Sequence, residues 1–520
     1  MRRILAGLLA GLLCLMGMAQ AEGLREITVT VDLSAPGKPI SPLIYGVNQT
    51  GEKTWLRSTH ATAIRQGGNR WSAYNWETNA SSAGSDWRHS SDGYLSNSAE
   101  PAEPVLRWAR EAAALGIPYR LATLQLMGYA AADRLGTVRE SEAAPSARWV
   151  EVLPDGGDPA RAEPDLTDGR VYLDEFVGRL IAQLGDSSSP EGIRGYSLDN
   201  EPALWEHTHV RAHPGTLSVD ELLEKSVAAA RMVKRLDPGA EVFGPALYGY
   251  TAYDHLSDEQ EWKRIRRANG YRWFLDCYLD RMREAGEEAG VRLLDVLDIH
   301  YYSESARVSA EDRVQAARTL TEPGFYENSW IGQWCRQNLP LLPTVQASID
   351  RYYPGTKLAI SEYNFGGDGD PSGAIVQVEA LGAFADAGVY FAALWGGEGF
   401  IVAGLNLYTN YDGQGARFAP VLLPSETSDI AVTGAWAAAD EDRSRLTVAL
   451  TNKSEDDDAC VTLDLRGAER DYPRVRVWGI EGASPVVREL PGAAESADGV
   501  LRVTLPPWCA ALVELRSGEE

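Results

Sequence analysis

The sequence predicts an α/β protein, a TIM-like (β/α)8 barrel with an additional antiparallel β-sandwich formed by the C-terminal region and N-terminal strands. Three observations carry this expectation. Short apolar runs alternate with amphipathic helical stretches from about residue 60 to about residue 400. After residue 428 the pattern changes to short alternating strands separated by turn residues. Two of the apolar runs end abruptly in a glutamate. Strand–helix alternation calls for a parallel sheet, and over so long a stretch a closed barrel is favoured over an open one. No glycine-rich phosphate loop follows the first runs, which argues against a nucleotide-binding sheet.

At the start of the chain, Arg2-Arg3, the apolar run Ile4–Met18 and Ala19-Gln-Ala21 read as the n-region, h-region and cleavage site of a signal peptide over residues 1–21. The run is shorter than the ~20 residues a membrane span needs. Residues 22–45 carry the weak alternation Ile27, Val29, Val31 and are expected to add strands to the sandwich. Residues 46–425 are assigned to the barrel. Its strand candidates are Tyr119–Leu126, Arg194–Leu198, Glu241–Pro245, Val296–His300, Lys357–Ser361 and Tyr390–Trp395. Among the helices, Ser218-Val-Asp-Glu221 has the form of a capping box. Leu222, Leu223, Val227, Ala230 and Val233 follow at helical spacing, and Asp237-Pro-Gly239 stops the pattern. Val171–Leu184, Tyr271–Ala289 and Ile375–Ala387 read the same way. Residues 426–520 supply the rest of the sandwich, with strands at Leu446–Leu450, Ala459–Leu465, Arg474–Trp478 and Val500–Leu505.

Acidic side chains outnumber basic ones by 74 to 49, a formal net charge of −25. Nucleic acid and anionic membrane would be repelled, whereas a neutral polymer would not. The chain is expected to act as a monomer, without nucleic-acid or membrane partners. Beyond the leader the cysteines are Cys277, Cys335, Cys460 and Cys509. Their spacing fits no zinc ribbon, and an even number in an exported chain permits disulfides. Cys460 and Cys509 both lie in strand-like segments, so a bridge between them is an expectation.

The most informative stretch is Tyr196-Ser-Leu-Asp-Asn-Glu-Pro-Ala-Leu-Trp205. Its apolar start reads as a buried strand that delivers a carboxylate at its C-terminal end, with Pro202 forbidding further pairing. Lys357–Ser361 does the same with Glu362, before Tyr363-Asn-Phe-Gly-Gly367. A barrel brings two such glutamates face to face. Carboxyls ~5–5.5 Å apart, one an acid/base and one a nucleophile, are what retaining glycoside hydrolysis requires.

Several stretches together resemble glycoside hydrolase family 44, the endoglucanase/xyloglucanase family. They are Ile64-Arg-Gln-Gly-Gly-Asn-Arg-Trp71, Tyr74–Trp87, Tyr196–Trp205, Ser361–Gly367 and Leu407-Tyr-Thr-Asn-Tyr-Asp-Gly413. The likeness spans the mature chain. It implies a TIM-like barrel with a sandwich built from both termini, and cleavage of internal β-1,4 glucan bonds with retention. The substrate class implied is β-glucan, of cellulose type or xyloglucan. The alternatives are another retaining barrel glycosidase (xylan- or mannan-active, exo-acting) and a non-catalytic carbohydrate-binding protein.

On this reading Glu201 is the acid/base and Glu362 the nucleophile, with Asp199, Glu206 and Asp368 as weaker rivals. Asn200 is expected to hydrogen-bond a substrate 2-hydroxyl, Arg70 to steer the nucleophile's carboxylate, and Tyr301 and Tyr302 to touch Glu362 or the sugar. Trp76, Trp205, Trp330 and Trp395 are candidate sugar platforms, because a flat apolar ring suits the C–H face of a pyranose. His207, His209 and His213 have the look of zinc ligands, although two glutamates need no metal for this chemistry. No cofactor is expected for catalysis. An oxygen-rich loop bearing Asp165 and Asp168, with Glu77, suits a structural calcium ion, which the resembled family can carry.

Overall fold

The computed structural model describes residues 23–48, 54–161, 163–497 and 500–518. The expected signal peptide, residues 1–21, lies outside them. Eight parallel strands close a barrel: β1 (Gly46–Asn48), β2 (Ala63–Arg65), β3 (Tyr119–Leu124), β4 (Gly195–Leu198), β5 (Glu241–Leu247), β6 (Val296–Tyr301), β7 (Lys357–Tyr363) and β8 (Phe391–Trp395). β1 pairs with both β8 and β2, which completes the ring. The six strands expected from apolar runs are present. β2 is three residues long, too short for periodicity to reveal.

Side chains alternate along each strand, so residues two apart share the barrel interior. At the lower end those residues are apolar: Ala63, Leu121, Phe243, Val296, Ala359 and Phe391 form a closed plug with Tyr119. Tyr119, Phe243 and Phe391 meet with ring centroids 5.4–6.1 Å apart. Two residues further up the same strands, the interior turns polar with Arg65, Thr123, Asp298 and Ser361, all fully buried.

The helices follow expectation with small shifts at their ends. Leu173–Leu184, Val219–Leu236, Phe274–Ala289 and Pro371–Ala387 are α-helical. Ser218 caps its helix by accepting from the Glu221 amide at 3.0 Å. The reciprocal half of the capping box is absent, because the Glu221 carboxylate turns to His213 and Lys225, both at 3.0 Å. Pro371–Ala387 is buried on nearly all sides because it lies between barrel and sandwich. There Glu379 pairs with Lys453 at 2.8 Å, both buried, and Gly382 lies against the Trp436 ring where a Cβ would collide.

The sandwich has one five-stranded and one seven-stranded sheet. The N-terminal strand Leu24–Asp32 joins the five-stranded sheet, as expected, but runs parallel to Asp458–Arg466 rather than antiparallel. Val421–Leu423 already belongs to the seven-stranded sheet, a few residues before the expected boundary at 426. The expected Cys460–Cys509 bridge is not formed. Cys460 lies in one sheet and Cys509 in the other, and all four described cysteines are free thiols. No described helix is long and apolar enough to cross a membrane.

Candidate active site

The C-terminal mouth of the barrel collects the two glutamates. Glu201 follows β4 in a left-handed conformation (φ 50°), as does Asp199 (φ 70°). For residues other than glycine that backbone is strained, and tertiary contacts must hold it. Asp199 provides them. Its buried carboxylate accepts from the Leu126 and Asn200 amides at 2.6 and 2.7 Å and from the Ser72 hydroxyl. Glu201 N donates to Ala246 O on the next strand at 3.0 Å, and Pro202 opens a 3-10 turn. Asp199 therefore shapes the elbow that presents Glu201, and is not itself presented.

Glu362 ends β7 almost wholly buried. Its Oε1 accepts from Arg65 Nη1 at 2.5 Å and its Oε2 from the Tyr302 hydroxyl at 2.8 Å. Between the glutamates stands His300, whose Nδ1 lies 2.9 Å from Glu201 Oε1 and 3.4 Å from Glu362 Oε2. One ligand atom from each of Glu201, His300 and Glu362 falls within 4.8 Å of the other two, the one such convergence of three His, Cys, Asp or Glu side chains among the described residues. Burial pushes the Glu201 carboxyl up to about 7, against an opposing pull from Arg65. Burial also lowers the His300 imidazole to about 4, so it is neutral in neutral solution. Desolvation penalises the charged form in both cases, which moves an acid up and a base down. The arrangement keeps a proton on one carboxyl while Arg65 and Tyr302 donate to the other.

Arg65 was not singled out from sequence, although it ends a strand as the glutamates do. It also donates to Asn200 Oδ1 at 2.8 Å through Nη2. Any Cβ on Gly67 would lie 2.0 Å from Arg65 Nη1, so glycine there is what lets the guanidinium pass. Asn200 is held all round: Oδ1 accepts also from Gly68 N at 3.0 Å, and Nδ2 donates to Asn69 Oδ1 at 3.1 Å. His300 was read only as part of a strand, because nothing in its local pattern marks which carboxyls the fold sets beside it.

Other expected positions lie elsewhere. Arg70 does not reach Glu362; it pairs with Asp92 at 2.6 Å and sits over the Tyr94 ring. Tyr301 points away from the mouth, buried, with its hydroxyl 3.4 Å from Glu327. Trp76 and Trp205 are core residues. Trp76 stacks on Phe176 and donates to Tyr172 O, and Trp205 lies under Lys225, so neither has a face for a sugar. Trp395 does line a cavity of about 670 Å³ with Gly68, Trp71, Trp87 and Tyr94. Trp330 and Trp334 are solvent-exposed on a short helix, Trp330 edge-on to Tyr250. Of the rival carboxylates, Asp368 accepts from the Glu398 amide and Glu206 lies 3.3 Å from His207. The three histidines do not converge: His207 is exposed, His209 is buried, and His213 bonds Glu221. Asp165 and Asp168 accept hydrogen bonds within their own loop, from Thr167 and Arg170. Burial first, then Asp168, Glu175 and Asp165, push the Glu77 carboxyl up to about 8.

A closed parallel barrel with two strand-ending glutamates meeting across its C-terminal mouth defines a glycoside hydrolase of the barrel class. The sequence profile described as glycoside hydrolase family 44 matches residues 80–305. Endoglucanase A of Paenibacillus lautus is 40% identical over 519 residues, an alignment covering 95% of this chain and 73% of that protein. The crystal structure of Cel44A, a family 44 endoglucanase from Clostridium thermocellum, superposes with a TM-score of 0.90 at 43% identity, covering 95% of this chain and all of that one. A Paenibacillus polymyxa family 44 xyloglucanase, solved with xyloglucan, gives the same TM-score and coverage at 41% identity. The chain belongs to glycoside hydrolase family 44.

Proposed function

We propose that this enzyme is a secreted endo-β-1,4-glucanase, acting as a monomer on cellulose-type glucan or xyloglucan by double displacement. Glu201 is its acid/base and Glu362 its nucleophile. The observation that carries the reading is the approach of the two carboxyls, with ligand atoms inside 4.8 Å. That spacing suits direct attack by a carboxylate and falls short of the ~6.5–9.5 Å that makes room for a water. The division of roles follows from their surroundings. Glu201 keeps its proton towards pH 7, as a general acid must. Glu362 accepts hydrogen bonds from a guanidinium and a phenol, which hold its carboxyl in place for attack. Glu362 attacks the anomeric carbon while Glu201 protonates the departing oxygen; Glu201 then removes a proton from the water that opens the glycosyl-enzyme.

Endo action draws support from aromatic surfaces on two sides of the mouth. Trp395 and Trp71 stand beside β8 and β2; the exposed Trp330 and Trp334 follow β6, with Trp330 resting edge-on against the buried Tyr250 after β5. A chain bound across both has its scissile bond between them. Export rests on the leader pattern of residues 1–21. The proposal includes a structural calcium ion on Glu77, Asp165 and Asp168, although these three carboxylates do not converge as Glu201, His300 and Glu362 do. All-oxygen donors suit that ion, and a cation would offset the like charge of Asp168, Glu175 and Asp165 that adds to burial in raising Glu77.

The stereochemical course tests the reading. Proton NMR in the first minutes of β-glucan hydrolysis should show the β-anomer before mutarotation. Initial α-anomer would overturn double displacement and the role of Glu362 together. Product lengths from a panel of soluble polysaccharides decide endo against exo action and fix the preferred backbone.

A further inference from the structure

Glu362 should not face the barrel mouth if β7 alternated strictly. Ala359 points into the plug, so alternation sends Ser361 inward and Glu362 outward among the helices. The pairing shows why it does not. Along β6 the partners run Asp298–Ala359, Ile299–Ile360, then His300–Glu362. Along β8 they run Ile360–Ala392, then Tyr363–Leu394. Ser361 is an extra residue, a bulge that re-aims the next side chain. The bulge takes backbone groups out of the ladder deep inside the barrel, where a buried polar group left unmet is costly.

Two side chains from other strands meet them. Asp298 on β6 accepts from Ser361 N at 3.1 Å and from Ser361 Oγ at 2.8 Å. Asn48 on β1 donates through Nδ2 to Ser361 O at 2.8 Å and Ala393 O at 3.2 Å, the carbonyls on either side of the irregular pairing. Asn48 Oδ1 in turn lies 3.2 Å from Arg65 Nη1, the nitrogen that holds Glu362. Asn48, Asp298 and Ser361 are all buried.

We propose that Asp298 and Asn48 are positioning residues for the nucleophile, clamping the Ser361 bulge from both sides so that Glu362 faces Glu201 and the anomeric carbon. The proposal rests on Glu362 being the nucleophile.

The test is the rate of glycosyl-enzyme formation from a dinitrophenyl 2-deoxy-2-fluoro-β-cellobioside. Rates are expressed per active site, counted by total dinitrophenolate released, and the labelled residue is identified by peptide mass spectrometry. Wild-type enzyme should be labelled on Glu362; a label elsewhere overturns the nucleophile assignment whatever the variants do. With Glu362 labelled, Asp298→Ala and Asn48→Ala should react on the order of 10²-fold more slowly per site, the scale of a misplacement of about 1 Å, with reagent affinity unchanged. Asp298→Asn keeps an oxygen for Ser361 N and should recover most of the rate. Should the alanine variants fail to fold, Asn48→Asp carries the test, since it is isosteric but donates to neither carbonyl; it should be at least tenfold slower. A rate per site within twofold of wild type in the folded Asp298→Ala, Asn48→Ala or Asn48→Asp variants would overturn the clamp, because a merely structural residue changes the number of active sites and not their speed.

Discussion

The lower and upper halves of the barrel interior are made by the same strands, yet they obey opposite rules. Below, Phe243, Phe391, Leu121 and Val296 fill the space with apolar volume. Two residues higher come Arg65, Asp298 and Ser361, and above them His300 and the two glutamates, which fill it with charge and hydrogen bonds. Close packing of apolar groups is tolerant of which group does it and is measured in stability. A buried polar layer is costly unless every member is met, and what it gains is fixed geometry. The comparison teaches that one strand can serve as floor and as instrument because the change takes a single step of two residues.

If that division holds, changes above should abolish rate and changes below should abolish stability. The largest effect belongs to Glu362→Ala, which should lose glucanase activity by the order of 10⁵–10⁶, the scale seen when a nucleophile is removed. Turnover of an α-glycosyl fluoride should return when azide or formate fills the space, measured by fluoride release.

Glu201→Gln should slow unactivated glucan by ~10²–10⁴-fold and activated aryl glycosides by less in the glycosylation step. Because the wild-type acid must carry its proton, activity should fall as pH rises through about 7, and the variant should lack that limb. The same carboxyl bears on stability. Its value in the fold, about 7, lies above its ordinary 4.5. Between the two the folded state binds more protons than the unfolded one, so stability falls as pH rises across that window. Above it the penalty is about 3 kcal/mol, and Glu201→Gln should remove it. Melting curves should show the variant more stable at pH 8 and level with wild type at pH 4.

Phe243→Ala probes the floor. It should destabilise by about 3–5 kcal/mol through lost burial and a cavity, seen by calorimetry. The kcat per titrated active site should stay within about twofold of wild type; a hundredfold loss would erase the distinction between floor and instrument. The smallest effect concerns calcium. At 100 times its dissociation constant the ion should add about 2.7 kcal/mol of stability, reversed by chelator and lost in Asp168→Ala, with kcat unchanged.

How far the sequence reached follows the same boundary. Apolar periodicity is a local signal, so it carried the strand–helix alternation, the strand-ending Glu201 and Glu362, and the change to short strands after residue 428. Local pattern could not show that Trp76 and Trp205 are enclosed while Trp395 lines a cavity, because burial depends on what packs above a ring. It misplaced the guanidinium beside Glu362 as Arg70. Arg65 ends a three-residue strand, and only ring closure brings that strand within reach of β7. The disulfide expectation failed for a similar reason: Cys460 and Cys509 look alike in sequence but lie in different sheets.

The sequence by itself determined the barrel, the sandwich and the two carboxyls, since each is written in residues that are neighbours along the chain. Only the tertiary structure decided that His300 stands between the glutamates, and that Glu362 faces inward against its own alternation. Those facts depend on hydrogen bonds between strands more than 300 residues apart, such as Asn48 to Ser361 O and Ala393 O, and no local pattern encodes a partner at that distance.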